Sequence, residues 1–470
     1  MLNSQTHRRW LSYGKCCAVW LVFAACLLVP LTLWARAGGG QGYSGGGSGG
    51  SGGSGDGGDI AYLVYLLIRL CIEYPWIGLP LVCLIALFFF WASLQTNEAY
   101  KGNVIRRAVS QTSNERGRQA LAELQAEDPA FDEAAFCNRV RQAFLQVQQA
   151  WTGQDMTPAA AFVSDGVFER FSLQFAEQRD FGYRNQLDNL QVREVGLREI
   201  DHDQAFQILT VGIRAQGDDY RVSLADGKRL AKGDTSEEFV EFWTFLRRRD
   251  QQTTGRPGLI EGRCPNCGAN VQINQLAQCP ACKSQLRSGD HDWTLTEITQ
   301  ESAWHDVEAG RAVGVDQYRT ERDPEFSIPH LEDRASVIFW RRAMADRLGS
   351  VEPLMKMALP EFCDQYRQQL QVTVQGRVYP GECAVGAVML LGVLPGDSFD
   401  RAIVQVRWAA QRLAARENEP PRPLGEVSLK RSLFVLTRRK GVKSALGHAL
   451  ASAHCPQCGA PEKNLTASAC

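Results

Sequence analysis

The pattern of apolar and polar positions divides this chain into a greasy N-terminal quarter and two soluble modules. Twenty uncharged residues, Cys16 to Ala35, follow Arg8, Arg9 and Lys15 and lead into the small-x-small triplet Ala35-Arg36-Ala37. Residues 1–37 therefore read as a signal peptide or an uncleaved signal anchor. Gly38 to Gly58 holds fourteen Gly in twenty-one residues, so 38–59 reads as a flexible tether with nothing to bury. Tyr74 to Asn97 carries no charge over twenty-four residues, long enough to span a bilayer, with Trp76 and Trp91 near its two ends. The apolar stretch before it contains Arg69, so 60–97 is read as an interfacial helix followed by one transmembrane helix. Residues 98–128 are polar and helix-prone and read as a spacer.

Beyond the spacer the period becomes helical. Phe136, Val140, Phe144, Val147 and Trp151 recur at three- and four-residue steps, one apolar stripe that Gly153 ends. Thr157-Pro158 predicts the start of a short second helix. Asp165 begins a third, with Phe168, Phe171 and Phe175 on one side. After Gly182 the pattern predicts four strands: around Val192 to Leu197, Phe206 to Ile213, Tyr220 to Leu224 and Glu238 to Leu246, with polar loops such as Gln216 to Asp219 between them. Helices packed on one face of a curved antiparallel sheet follow, an α+β domain enclosing an apolar pocket.

The same order returns downstream. Leu331 to Arg342 traces a helix, Pro353 opens another and Glu361 to Gln371 a third. Cys383 to Leu394, Ile403 to Ala409 and Ser428 to Leu436 read as strands, and Trp293 to Ile298 as a strand leaving the first ribbon. A shift of 191 residues carries Phe242-Trp243-Thr244-Phe245 onto Leu433-Phe434-Val435-Leu436, Arg247-Arg248-Arg249 onto Arg438-Arg439-Lys440, and Cys264, Cys267 and Cys279 onto Cys455, Cys458 and Cys470. The chain is a tandem duplication of a module ending in a CPxCGA knuckle. Domain bounds follow as 129–250, a ribbon at 260–288, a second module at 290–441 and an incomplete ribbon at 454–470.

Cys264-x-x-Cys267 and Cys279-x-x-Cys282, eleven residues apart, form a strong four-thiolate signal for zinc. Four protein ligands leave no position for water, so the site is structural. In the second copy Cys455, Cys458 and Cys470 are ligand candidates, but the fourth would fall past Cys470; either the chain continues or the site is incomplete, and His454 is poorly placed to substitute. Among 470 residues, 51 Lys plus Arg nearly cancel 52 Asp plus Glu, which gives no bulk argument for nucleic acid. Fifteen Cys, seven of them in the knuckles and the rest unpaired in spacing, suit a reducing compartment. Lys101, Arg106, Arg107, Arg116 and Arg118 after the span put the soluble modules on the cytoplasmic side.

No nucleophile elbow, phosphate loop or paired-carboxylate motif occurs in the sequence. Trp151 and Trp243 read as core residues and Asp201-His202-Asp203 as a solvated turn. Arg247-Arg248-Arg249 reads as a solvated strand end, or as a contact for anionic headgroups. The runs AFLQVQQAWTGQDMTPAAAFVSDGVFERF and EFVEFWTFLRRR resemble the Tim44-like domain family, over Asp128 to Asp250 and less closely over Leu331 to Lys440. That resemblance implies a nuclear-transport-factor-two-like fold in tandem, a hydrophobic pocket, membrane association and a tethering role without catalysis. The membrane segment and knuckles set the chain apart from the mitochondrial import tether and resemble a bacterial membrane-anchored branch with zinc ribbons. The expected function is a non-enzymatic platform on the bacterial inner membrane that binds protein partners and lipid, with its C-terminal modules in the cytoplasm. The alternatives are an enzyme using the sheet pocket, or nucleic-acid binding through the ribbons.

Overall fold

The computed structural model describes residues 117–230, 237–271, 277–300, 312–373, 376–417, 419–455 and 460–462. The signal, the tether and the apolar span expected at 1–97 lie outside these residues. Among the described residues no helix is long and apolar enough to cross a membrane.

Helix α1, residues 117–127, falls in the stretch expected to be a polar spacer. It is helical, but Leu124 and the following Asp128 are buried, so its end is part of the first module. Helix α2 (Glu133–Gly153) is capped by Asp132, whose carboxylate accepts the Ala135 amide at 2.6 Å. Its whole apolar stripe from Phe136 to Trp151 is buried as the spacing predicts. Thr157-Pro158 yields only a single 3-10 turn before Ser164 caps helix α3 (Asp165–Phe181). Gly182 ends α3 at φ 75°, in the left-handed region where a side chain would be strained.

Strands β1 (Tyr183–His202), β2 (Phe206–Ser223) and β3 (Glu237–Arg248) form an antiparallel meander, completed by β4 (Thr294–Gln300) on the outer edge of β3. Two expectations fail here. The strands expected at Phe206–Ile213 and Tyr220–Leu224 are one strand, because the polar segment between them pairs with β1: Gln216 opposes Gln191, and Asp218 opposes Asp188. Polar side chains marked that segment as a loop, yet its backbone partners lie across a bulge where Asn189 takes φ 53°. The strand expected to open the second module at 290 is β4 of the first sheet. Leu295 and Ile298 seal the first core, and sequence alternation does not say which sheet receives them.

That core is dense. Leu209, Val211, Ile213 and Ala215 of β2 alternate inward against Phe144 and Val147 of α2. Trp243 meets Phe144 at 5.4 Å between centroids and Trp151 meets Phe171 at 5.7 Å, so aromatic side chains pack between the helices and the sheet.

The second module repeats this order. Helix α4 (Val315–Glu321) precedes α5 (Ile328–Leu348), a 3-10 turn at Glu352–Leu354 and α6 (Pro360–Gln369). The sheet follows with β5 (Gln371–Thr373), β6 (Gly376–Leu394), β7 (Phe399–Ala415), the short β8 (Arg422–Pro423) and β9 (Ser428–Arg439). The two long helices α2 and α5 have 21 residues each, and their starts at Glu133 and Ile328 stand 195 residues apart, not 191. Four residues are therefore lost between helices and last strand in the second copy.

The larger offset exposes a repeated lock that the 191-residue spacing hid. Asp128-Pro129-Ala130-Phe131 recurs as Asp323-Pro324-Glu325-Phe326. The Asp128 carboxylate accepts from Arg247 at 2.8 Å, from the Thr253 hydroxyl at 2.7 Å and from the Thr253 amide at 3.0 Å. The Asp323 carboxylate accepts from Arg438 at 2.8 Å, from the Ser444 hydroxyl at 2.7 Å and from the Ser444 amide at 3.0 Å. Arg247 is only 2% exposed and lies 4.4 Å over Trp293. It is neither a solvated strand end nor available to headgroups; Arg249 is likewise engaged, by Glu127. Burial alone would push both aspartates up, but the Thr253 or Ser444 donors and the arginine hold each carboxyl below its ordinary range.

The modules are joined along α3 and α5. Leu173 packs with Phe339 and Trp340, Arg341 pairs with Glu169 at 2.9 Å and Arg347 with Asp180 at 2.8 Å. An added Cβ at Gly166 would lie 2.9 Å from Asp333 Oδ1, so a larger residue here would have to displace that side chain. Glu177 of α3 is buried and its two carboxyl oxygens accept the Glu382 amide of β6 at 3.2 and 3.1 Å. Burial, reinforced by the Glu382 charge, pushes Glu177 up to about 8.

Two outcomes follow. Asp128→Ala leaves Arg247 buried without its partner and is expected to cost about 3 kcal/mol, read from the urea midpoint of the full chain. Because both lock carboxyls are depressed, their contribution is present above the ordinary aspartate range and is lost as pH falls through the depressed values. Glu177 has the opposite sign. The unfolded chain releases this proton near pH 4.5 and the folded chain near 8, so stability falls as pH rises between those values. Glu177→Gln should raise the melting temperature at pH 8 and change it little at pH 4.5, where the native carboxyl is protonated; equal effects at both would refute the assignment.

Candidate metal centre and its anchorage

Two knuckles form the ribbon between β3 and β4. In the first, the Cys264 amide donates to Ala269 O at 2.8 Å and the Gly268 amide to Cys264 O at 2.8 Å. In the second, the Cys279 amide donates to Ser284 O at 2.8 Å and the Lys283 amide to Cys279 O at 3.0 Å. Gly268 at φ 77° and Lys283 at φ 65° make the left-handed turn in each.

These turns bring Cys264, Cys267, Cys279 and Cys282 together, with all four sulfurs within 4.8 Å of one another. Cys264 lies 3.7 Å from Cys282, and Cys267 lies 3.7 Å from Cys279. A zinc–thiolate bond of about 2.3 Å gives a tetrahedron with sulfur–sulfur edges of about 3.8 Å, so the donor set fits zinc. Cys264 and Cys279 are buried, Cys282 is half-buried and Cys267 exposed. Burial pushes Cys264 up to about 12, while the Ser284 hydroxyl and amide bring Cys282 down to about 6. A dication ionises all four thiols and removes that disparity. Zinc held by all four thiols would be closed to substrate and would serve folding.

The ribbon is not a linker after the module. It is inserted in it: Leu259, Ile260, Cys264, Val271, Cys279 and Leu286 belong to the same buried cluster as Phe136 and Trp243. Arg139 of α2 clamps both ends of the insertion, Glu261 at 2.7 Å and Asp292 at 2.7 Å.

At the second copy, Cys455 is half-buried, whereas Cys458 and Cys470 lie outside the described residues. The stem of the knuckle is nonetheless the same: the Cys455 amide donates to Ala460 O at 2.8 Å and His454 bridges Pro461, as Arg263 bridges Asn270. His454 is turned toward the protein. Its Nδ1 lies 2.9 Å from Asp165 Oδ2. Asp165 also takes Arg287 at 2.6 Å and the Ala453 amide at 2.6 Å. Burial would raise this carboxyl, yet His454, Arg287 and Ala453 together hold it low. Thus the exit of the first ribbon and the entrance of the second meet on one aspartate at the N-terminus of α3. The sequence marked Asp165 only as a helix start; no local pattern announces that residues 122 and 289 positions away converge on it.

Asp203, expected in a solvated turn, accepts from Arg319 at 3.3 Å and from the Ile328 amide at 3.2 Å, and so belongs to the contact between modules. Trp151 and Trp243 are core, as their spacing suggests.

Helices on an antiparallel sheet, with a four-cysteine ribbon inserted before its last strand, make the first module an α+β domain. Residues 117–257 match the family model of the Tim44-like domain. The match opens at α1 and closes after Thr253, so it contains the complete Asp128–Arg247–Thr253 lock but not the knuckles or β4. No curated protein matches the chain. A Tim44-like domain points to binding or tethering.

Replacing Cys279 by Ser is expected to remove about one equivalent of zinc per chain and to lower the melting temperature of the first module, because the ribbon shares its core. Elemental analysis paired with calorimetry reads both; metal loss without a stability change would contradict the shared core.

Proposed function

We propose that this protein is a membrane-anchored, non-enzymatic platform that presents two nuclear-transport-factor-two-like domains to the cytoplasm and binds protein partners. Zinc staples the first ribbon. The supporting observation is the Tim44-like match over residues 117–257 combined with an interior packed with Phe144, Trp151, Phe171 and Trp243. These aromatic contacts occupy part of the space between the helices and the sheet, which favours the binding reading over the sheet-pocket enzyme. The uncharged span Tyr74 to Asn97 supplies the anchor and the cations after it the orientation. Membrane lipid then contacts the platform near its anchor, and the bacterial inner membrane is the compartment this arrangement suits.

Two measurements test the reading. Reporter fusions after Lys440 should be active only as cytoplasmic reporters. In-cell crosslinking from intact membranes should recover a reproducible protein partner that is lost when residues 117–257 are deleted. An external reporter signal would overturn the orientation, and recovery of no specific partner would overturn the platform.

A further inference from the structure

The long strands β1 and β6 each carry a bulge whose residue takes the left-handed conformation. In β1 it is Asn189 at φ 53°, between Asp188 and Gln191; in β6 it is Glu382 at φ 49°, between Gly381 and Ala384. Asparagine tolerates this region, whereas glutamate is strained in it. Asn189 is exposed and held within its own sheet, by Asp218 at 2.7 Å. Glu382 is held from the other module. Its amide donates to both carboxyl oxygens of Glu177 on α3, at 3.2 and 3.1 Å. The Tyr183 hydroxyl of β1 lies 3.3 Å from its carboxylate, and Arg221 of β2 lies 3.8 Å from it. A strained bulge in the second sheet thus rests on three residues of the first module.

Glu177 is buried and forms no ion pair with a described residue. The cations near it are engaged elsewhere. Arg347 of α5 is taken by Asp180 of α3, at 2.8 and 2.9 Å. Arg221 faces Glu382 and lies 4.3 Å over the Tyr183 ring, and Arg377 lies 5.7 Å over the Tyr379 ring. Tyr379 and Cys383 of β6 also face Glu177, and burial pushes both upward, so neither carries charge at neutral pH. With its proton, Glu177 is a neutral acceptor for the Glu382 amide. Without it, a carboxylate faces the carboxylates of Glu382 and Asp180 in a site shielded from water.

We propose that Glu177 is a proton-operated latch between the modules: protonated, it holds the Glu382 bulge and keeps α3 seated on β6; ionised, it releases the bulge, and the contact between α3 and β6 opens while each module stays folded. Latched, the modules move as one body; released, each is free to move on its own. The latch goes beyond the platform reading and stands whether or not that reading holds.

The latched form keeps the proton up to about 8, whereas Glu177 exposed in the opened form releases it near 4.5. Opening is therefore favoured as pH rises between those values, by about tenfold per pH unit, and levels off above them. A second carboxyl acts in the same sense. Asp333 of α5 lies beside Gly166 at the other end of α3, and burial pushes it up to about 7. Its effect has to be separated from that of Glu177.

Hydrogen exchange read by mass spectrometry on the full chain in detergent tests the latch. The native chain and Glu177→Gln are compared at equal pH, so that intrinsic exchange rates cancel. At pH 4.5 the segments Gln174–Phe181 and Tyr379–Ala384 should be protected nearly alike in both chains. At pH 8 the native chain should open there at least tenfold more than the variant, and faster than its own core strand segment Leu209–Ala215. In an Asp333→Asn background the same contrast should persist. A native-to-variant ratio that is equal at both pH values would overturn the latch. So would exchange of the two segments only at the rate of Leu209–Ala215, which would make Glu177 a contributor to global stability alone. Loss of the contrast in Asp333→Asn would assign the response to Asp333 and overturn it as well.

Discussion

Each module is closed by one buried charge pair. An arginine at the end of the last long strand reaches an aspartate just before the long helix, and a hydroxyl residue six positions after the arginine completes the carboxylate's shell. Removing an aspartate carboxylate from water is costly, and the arginine, hydroxyl and amide donors offset that cost. The pair therefore fixes how the helix layer sits on the sheet. Hydrophobic burial alone would tolerate a shifted helix, whereas a directional contact between arginine and a buried aspartate does not. Its occurrence in both copies, despite four residues lost between helices and strand, identifies the lock as the part of the design the duplication retained.

The metal ribbon extends the same logic. It is threaded between third and fourth strands, clamped by Arg139 at both ends, and contributes its own cysteines to the core. Asp165 then gathers the first ribbon's exit and the second ribbon's stem at the junction of the two modules. Electrostatics in this molecule is thus mostly internal: basic strand ends that look suited to a surface are, in the first module, committed to holding elements together.

Periodicity carried the helices well, because an apolar stripe at helical spacing has one economical burial, and Phe136 to Trp151 took it. The thiol cluster was legible for a related reason: knuckle spacing is a local geometric demand. Strand partnership was not. Gln216 to Asp219 is polar yet paired, and Trp293 to Ile298 belongs to the sheet before the ribbon, since alternation reveals a strand's faces but never its neighbour. Arg247 was misread because a charged tripeptide looks solvent-facing until the distant Asp128 is known. The DPAF and DPEF tetrapeptides at the 195-residue spacing were the available signal, masked by the shorter offset of the strands and knuckles.

The late arrival of β4 has a consequence for biogenesis. During synthesis the first sheet waits for the whole insertion, 45 residues between Arg248 and Thr294, before its last member can dock. Ion capture by the four thiols would shorten that excursion and bring Trp293 and Leu295 closer to their seats. If the thiols hold an ion, a chain made without it would keep β3 uncapped for longer.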